Sequence, residues 1–237
     1  MSNVGDDIKA ERGAWSFGGD VSENFDEHVR KSVPFYDIGH DLICKLSDFF
    51  VAGDSVCYEL GCSTGELTSK LAKHNAHKKG ARFIGIDVEE SMILKAREKA
   101  SDLPNLEFVA DDINVFEYEP ANLIVAYYTV QFAHPSLRQE LINRIYNSLN
   151  WGGAFVMFEK VRGADPRFQD IVTSLYVDYK LDQGYDEAEI ISKNRSLRGV
   201  LEPFSTQGNL DLLKRAGFVD YMSIMKYVCF EGFLAIK

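Results

Sequence analysis

Apolar residues along this chain follow two rhythms, and the change from one to the other marks its elements. Short, nearly continuous apolar runs occur at Val56–Leu60, Arg82–Asp87, 106–109, 122–126 and 154–158. Runs of that length without polar alternation read as strands buried on both faces. Between them the apolar positions recur every three or four residues. Leu67 and Leu71 do so in Glu66–His74, and Met92, Ile93 and Ala96 in 91–101; a further periodic stretch covers 136–149, with Pro135 before it and Ser136 as its cap. That spacing predicts amphipathic helices. Another helix is predicted over 37–50, with Ile38, Leu42, Ile43, Leu46 and Phe50 on one face, and a late one over 210–216. Strands alternating with helices predict an α/β fold: a doubly wound, mostly parallel sheet with right-handed crossovers. Trp151-Gly-Gly153 reads as a turn into the strand at 154–158, and the closing strands, 221–225 and 228–236, include at least one antiparallel member.

Outside this frame the patterning changes. Residues 1–13 are polar and aperiodic and are expected to be a disordered tail. The remainder, 14–237, reads as a single domain in which 14–50 forms a helical lid and 165–205 a helical insert that completes it. At 237 residues and 46% hydrophobic, the chain is long enough for one full core. The formal charge of −10 argues against a broad phosphate-binding face, so no direct nucleic-acid partner is expected. The cysteines, Cys44, Cys57, Cys62 and Cys229, lack CxxC spacing and suit reduced core thiols. No apolar run reaches the ~20 residues needed to cross a bilayer, and the polar N-terminal residues do not resemble a signal peptide. A cytoplasmic location without membrane attachment follows as an expectation.

The candidate chemistry sits at the ends of the first strands. Val56–Leu60 carries Glu59, followed by Gly61 and Gly65 and then a helix: a strand, a glycine loop and a helix form the ligand-cradling corner of a doubly wound sheet. The spacing Glu59-x-Gly61-x-x-x-Gly65 is neither the G-x-G-x-x-G of dinucleotide sites nor a P-loop. A loop glycine of this kind also serves tight strand–helix packing. A second acid, Asp87, ends the next strand 28 residues later and is placed either to accept from two ribose hydroxyls or to cap the following helix. Asp112 and Ile113 at the tip of the third strand suit an adenine amine and ring face, or a plain surface turn. Tyr127, Tyr128 and His134 follow the fourth strand as candidate groups of a substrate pocket. His74 and His77 lack neighbouring thiols or carboxylates, and no metal is expected.

The glycine pattern resembles motif I of the class I S-adenosylmethionine-dependent methyltransferases. Further segments are similar to the carboxy-S-adenosylmethionine synthase family nearly end to end. They are Trp15-Ser-Phe17, Arg30-Lys-Ser-Val-Pro-x-Tyr36, Glu59-Leu-Gly-Cys-Ser63, Thr129-Val-Gln-Phe132, Leu149-Asn-Trp-Gly-Gly-Ala154, Glu159-Lys160, Gly184-Tyr185 and Lys214-Arg-Ala-Gly-Phe218. The resemblance implies a seven-stranded Rossmann-like sheet and a homodimer. It also implies an enzyme that uses prephenate to carboxylate the methyl carbon of S-adenosylmethionine, the product serving wobble-uridine modification through a partner enzyme. It places Tyr36, Gly61, Cys62, Ser63, Asp87, Val88, Asp112 and Ile113 around the cofactor, S-adenosyl-L-methionine or its carboxylated form; Glu59 and Gly65 complete the loop, and Tyr127 is counted with the cofactor-binding residues.

Two positions depart from the family pattern. Tyr127 stands where the family has Asn, and an ungapped reading puts Asn194 where an Arg pairs with the added carboxylate, whereas a one-residue shift puts Arg195 there. A neutral amide does not replace a bidentate guanidinium. The leading expectation is therefore a methyltransferase acting on a small-molecule acceptor, built on the synthase scaffold. The alternatives are the carboxy-S-adenosylmethionine synthase itself and an inactive cofactor-binding subunit. No catalytic residue is named by the sequence, since methyl transfer needs chiefly in-line placement and exclusion of water.

Overall fold

The computed structural model describes residues 2–6, 8–11, 13–18, 21–100 and 102–237. In chain order the elements are β1 (Ser2–Asn3), β2 (Lys9–Ala10), α1 (Val21–Ser32), α2 (Tyr36–Phe50), β3 (Val56–Leu60), α3 (Glu66–His74), β4 (Arg82–Asp87), α4 (Glu90–Lys99), β5 (Leu106–Ala110) and β6 (Ala121–Tyr127). They continue with a 3-10 turn (Val130–Phe132), α5 (Arg138–Ser148), β7 (Leu149–Lys160), α6 (Pro166–Asp182), α7 (Glu187–Ser196), α8 (Thr206–Ala216), β8 (Asp220–Tyr227) and β9 (Phe230–Ile236).

Seven strands form one sheet in the order β5-β4-β3-β6-β7-β9-β8. The first five run parallel, and β9 pairs antiparallel with both β7 and β8. Strand order reverses beside β3, which lies between β4 and β6, and in an open α/β sheet that reversal opens a crevice at the carboxyl ends of the strands. Cys57, Tyr58 and Leu60 are at most 2% exposed, as are Leu123 to Ala126 and Phe155 to Phe158, as their unbroken apolar runs predict. Burying these side chains on both faces of the sheet, at roughly 25 cal/mol per Å² of apolar surface, is the main stabilising term.

Three sequence expectations are corrected. Ser136 does not cap α5: the helix starts at Arg138, and the Ser136 hydroxyl pairs with His134 Nδ1 at 2.7 Å. The Trp151-Gly-Gly153 segment lies within β7, where Gly152 takes φ +77° and the register with β6 shifts between Ala121 and Leu123. Within the expected disordered tail, Ser2–Asn3 pairs with Lys9–Ala10, and Val4 and Ile8 are buried against Trp15, Val21 and Met92. Two apolar residues in a short hairpin suffice there because a ready-made apolar surface receives them.

Over the carboxyl ends of the strands lie α1, α6 and α7. Asp165 accepts from Phe168 N to cap α6, with Pro166 at its first turn, and Asp186 and Glu189 form a reciprocal capping box on α7. Ion pairs and a hydrogen bond hold α1 over the glycine loop and α4: Arg30 reaches Glu66 and Asp37, Lys95 of α4 reaches Glu23 at 2.7 Å, and the Thr64 hydroxyl donates to Asp26 at 2.5 Å.

Candidate functional site

At the end of β3 the chain turns because Gly61 takes φ +68°. A Cβ there would lie 2.5 Å from Thr129 Cγ2, so a side chain is excluded on two counts. The Gly61 and Cys62 amides both donate to Ile86 O, at 2.7 and 3.0 Å, which welds the loop to β4. Ser63 follows at φ +48°, a strained value for a non-glycine residue, and its N–H donates to Asp87 Oδ2 at 2.8 Å. The other Asp87 oxygen accepts from Glu89 N at 2.9 Å. Burial pushes the Asp87 carboxyl up, against the opposing pull of these N–H groups. Glu89, not Asp87, stands at the cap of α4, and no side chain caps that helix.

Glu59 is 4% exposed, and Thr68 Oγ1 from α3 donates to one of its oxygens. Burial pushes its carboxyl up to about 8. Gly65, at φ +73°, faces Phe108 and Ala96 and stays outside the cavity; its role is close packing of α3 on β5 and α4.

A cavity of about 390 Å³ opens at this corner. Of the residues picked from the sequence, Tyr36, Glu59, Gly61, Cys62, Ser63, Asp87, Val88, Asp112, Ile113, Tyr127, Tyr128 and Asn194 line it. Arg195 does not, and neither does His134, which is exposed. Asp112 is committed in part to its own turn, accepting from Asn114 N at 2.9 Å and Asn114 Nδ2 at 2.7 Å. Tyr127 donates its hydroxyl to Tyr36 O at 2.6 Å, and Gly39 leaves the room that hydroxyl occupies. Burial drives the Tyr127 phenol far above its ordinary pKa, so it is a packed pillar rather than a base. Tyr128, at φ +60°, stacks edge-on against Phe158 and Phe230.

The part of the wall that the sequence did not reveal is cationic. Lys160, Lys180 and Lys193 all line the cavity. The Lys160 and Lys180 amines lie 4.2 and 4.5 Å from the Tyr176 ring, and neither has a carboxylate or hydrogen-bond partner among the described residues. Burial lowers the pKa of both, Lys180 to about 7, and each charge depresses another lysine nearby. Only the Glu159-Lys160 pair was marked by a motif. Lys180 and Lys193 sit among charged helical residues and carry no local signal.

Among the described residues, Asp37, His40 and Glu66 bring possible metal-ligand atoms within 4.8 Å of one another. Arg30 and Lys70 already pair with both carboxylates, which leaves that trio as an ion-pair network. No helix among the described residues is long and apolar enough to cross a membrane.

Residues 58–153 match the family model described as a methyltransferase domain. A carboxy-S-adenosyl-L-methionine synthase of Staphylococcus epidermidis is 36% identical over 224 residues, 94% of this chain and 97% of that protein. The synthase of Campylobacter lari is 35% identical over 94% of each chain. Human N-acetylserotonin methyltransferase, solved in complex with S-adenosylmethionine, shares the fold at TM-score 0.57 and 18% identity; the match covers 92% of this chain and 53% of that one. The chain is thus an enzyme of the carboxy-S-adenosyl-L-methionine synthase family, built on the S-adenosylmethionine-dependent methyltransferase fold.

Proposed function

We propose that the protein transfers the methyl group of S-adenosylmethionine to a small anionic acceptor in this cavity. The observation that carries the reading is that Asn194, and not Arg195, lines the wall. Asn194 in the wall supports the absence of the guanidinium that would clamp a carboxylated cofactor, and losing such a charged partner from a desolvated site costs about 2 to 5 kcal/mol. The cavity fits the cofactor. Its volume lies in the range of ligand pockets, the Gly61 corner admits close backbone approach, and Asp87 offers acceptors for ribose hydroxyls. Glu59 faces a cation favourably once ionised. Tyr36, Cys62, Ser63, Val88, Asp112 and Ile113 complete that half of the wall.

The opposite half holds Lys160 and Lys180 without counter-charge, and buried ammonium groups of that kind are stabilised by an anion. The acceptor's carboxylate supplies it. The protein's own residues then do three things: they hold the acceptor, they exclude water, and they point a nucleophile in line with the sulfonium carbon.

The same lysines favour a second reading, carboxy-S-adenosylmethionine synthesis from prephenate, since they would also neutralise that substrate's carboxylates. Mass spectrometry of ligand retained through purification separates the two. S-adenosylmethionine or S-adenosylhomocysteine supports methyl transfer, whereas the carboxylated cofactor, or its formation on incubation with prephenate, overturns it. Cofactor binding without turnover of either kind points to an inactive subunit.

The net charge of −10 supports a protein that does not itself grip nucleic acid, in a reducing, cytoplasmic setting that suits four free buried cysteines. A homodimer is supported by exposed apolar residues Phe168, Ile171 and Leu175 on α6, near-neighbours at helical spacing. Sedimentation velocity of the full chain tests it.

A further inference from the structure

Between α1, α7 and the N-terminal hairpin lies a buried chain of polar groups. Lys193 Nζ donates to His28 Nε2 at 2.5 Å and to Ser32 Oγ at 2.6 Å. His28 Nδ1 faces Asp6 Oδ2 at 2.7 Å, and Asp6 Oδ1 accepts from Lys31 Nζ at 2.6 Å. Tyr185 OH donates to Asp6 Oδ2, the oxygen that faces His28, at 3.0 Å, and the Trp15 ring stacks on His28 at 5.7 Å. Lys193, His28, Ser32 and Trp15 all line the cavity.

The hydrogen-bond pattern fixes the tautomer of His28. Asp6 accepts, so the neutral imidazole carries its proton on Nδ1 and offers Nε2 as an acceptor. Lys193 donates to His28 and Ser32, so its remaining tetrahedral position holds a lone pair in the neutral amine and a third N–H in the ammonium. The surroundings favour the neutral amine. Lys193 is 6% exposed; burial and the charges of Lys180 and Lys160 lower its pKa well below that of an ordinary lysine, with only Asp6 opposing. Burial, then the Lys193 charge, lowers His28 to about 4 against the pull of Asp6. Burial alone would raise the Asp6 carboxyl, but hydrogen bonds from Lys31, His28 and Tyr185 hold it below the usual range.

We propose that Lys193 is the general base of the transfer, taking the proton of an acceptor hydroxyl or amine, with His28 and Asp6 as the groups that position it and stabilise the charge it gains. The inference rests on the methyl-transfer reading and narrows its acceptor to a hydroxy or amino acid anion whose carboxylate meets Lys160 and Lys180. As the acceptor oxygen or nitrogen bonds to the methyl carbon, the carbon–sulfur bond breaks and its electron pair stays on sulfur. The acceptor's proton passes to Lys193 Nζ, and the ammonium so formed keeps its hydrogen bonds to His28 Nε2 and Ser32 Oγ, with Asp6 behind the imidazole. The geometry is that of a base oriented by a histidine and a carboxylate, with an amine as the outer member.

The test uses the full chain with 15N-labelled lysine and histidine, saturated with S-adenosylhomocysteine and followed by NMR from about pH 6 to about pH 9. The expected result is a neutral amine at Lys193 near neutral pH, assigned by its loss in Lys193→Arg, and a His28 ring protonated at Nδ1 only. An ammonium at Lys193, or a proton on His28 Nε2 in place of Nδ1, overturns the proposal. With a pool of small hydroxy and amino acids as acceptors, Lys193→Met lowers kcat by about 10²- to 10⁴-fold with KM changed only a few-fold. His28→Asn moves the acidic limb of the pH–rate profile. An unchanged kcat in Lys193→Met also overturns it. Failure of the unaltered enzyme to methylate any member of the pool, with S-adenosylhomocysteine bound, sinks the methyl-transfer reading instead, while the NMR result still decides the protonation pattern.

Discussion

The Asp87 carboxylate accepts the Ser63 amide at 2.8 Å, so the tip of β4 holds the loop that follows β3 in its strained turn. One side chain thereby does two jobs: it fixes the loop and presents its remaining lone pairs to the cavity. Asp87→Ala removes both. Each hydrogen bond to a charged group contributes about 1.5 to 3 kcal/mol, so affinity for S-adenosylhomocysteine is expected to fall at least about 30-fold by calorimetry. Asp87→Asn, which keeps one acceptor, should fall less.

Glu59 makes cofactor binding proton-coupled. Burial holds its carboxyl at about 8, so it is mostly protonated at pH 7 before the cofactor arrives. A sulfonium or ammonium group nearby favours the ionised form, and S-adenosylmethionine should bind with release of a proton. Calorimetry in buffers of different ionisation enthalpy measures this directly, and Glu59→Gln should abolish the release.

The same group shapes stability in the unliganded enzyme. Its folded pKa lies above the unfolded value of 4.5, so the native state binds more protons between the two. Its contribution is complete below about 4.5 and declines as pH rises to about 8, by up to about 1.4 kcal/mol per pH unit. Glu159 is raised to about 8 by burial as well and adds a similar slope. His28 and His40, lowered by burial to about 4 and about 3, add slopes of opposite sign below about 6.5, so Glu59→Gln should make the slope in urea titrations more positive than that of the unaltered enzyme by up to about 1.4 kcal/mol per pH unit, and an unchanged slope would refute the assignment.

Gly61→Ala is expected to destabilise the fold by about 2 to 4 kcal/mol, combining the cost of a positive φ with overpacking against Thr129. Thr129→Ala in the same chain should recover the steric part alone, since the backbone strain stays. Thermal unfolding of the two variants separates these terms.

Asn194→Arg puts a guanidinium into the cavity wall. If the missing charge is what distinguishes this enzyme from a synthase, the variant should bind the carboxylated cofactor at least about 10-fold more tightly than the unaltered enzyme does. Competition against S-adenosylhomocysteine reads the change.

Much of the frame was legible because β3, β4 and β6 are buried on both faces, and such strands must be apolar throughout. The glycine corner was legible for a similar reason: a turn with no room for Cβ leaves a glycine in the sequence. Ser136 misled because a hydroxyl before a helical pattern resembles a cap whether or not it bonds to one, and here His134 takes it. The cationic wall was hidden for a different reason. Lys180 and Lys193 are drawn together by packing of α6, α7 and α1 over the sheet, and in sequence each looks like a solvated helix residue. Asp6 and His28 are 22 residues apart in stretches without a shared pattern, so their pairing emerges only in three dimensions.

The antiparallel strand β9 sits between β7 and β8, and it is the latest of the three to be synthesised. Until Phe230–Ile236 clears the ribosome, β7 therefore displays an open row of amides and carbonyls beside Glu159 and Lys160. The nascent chain thus has its Gly61 corner able to form early and the edge beside Lys160 open until last, which makes that edge the place where a holdase would shield it.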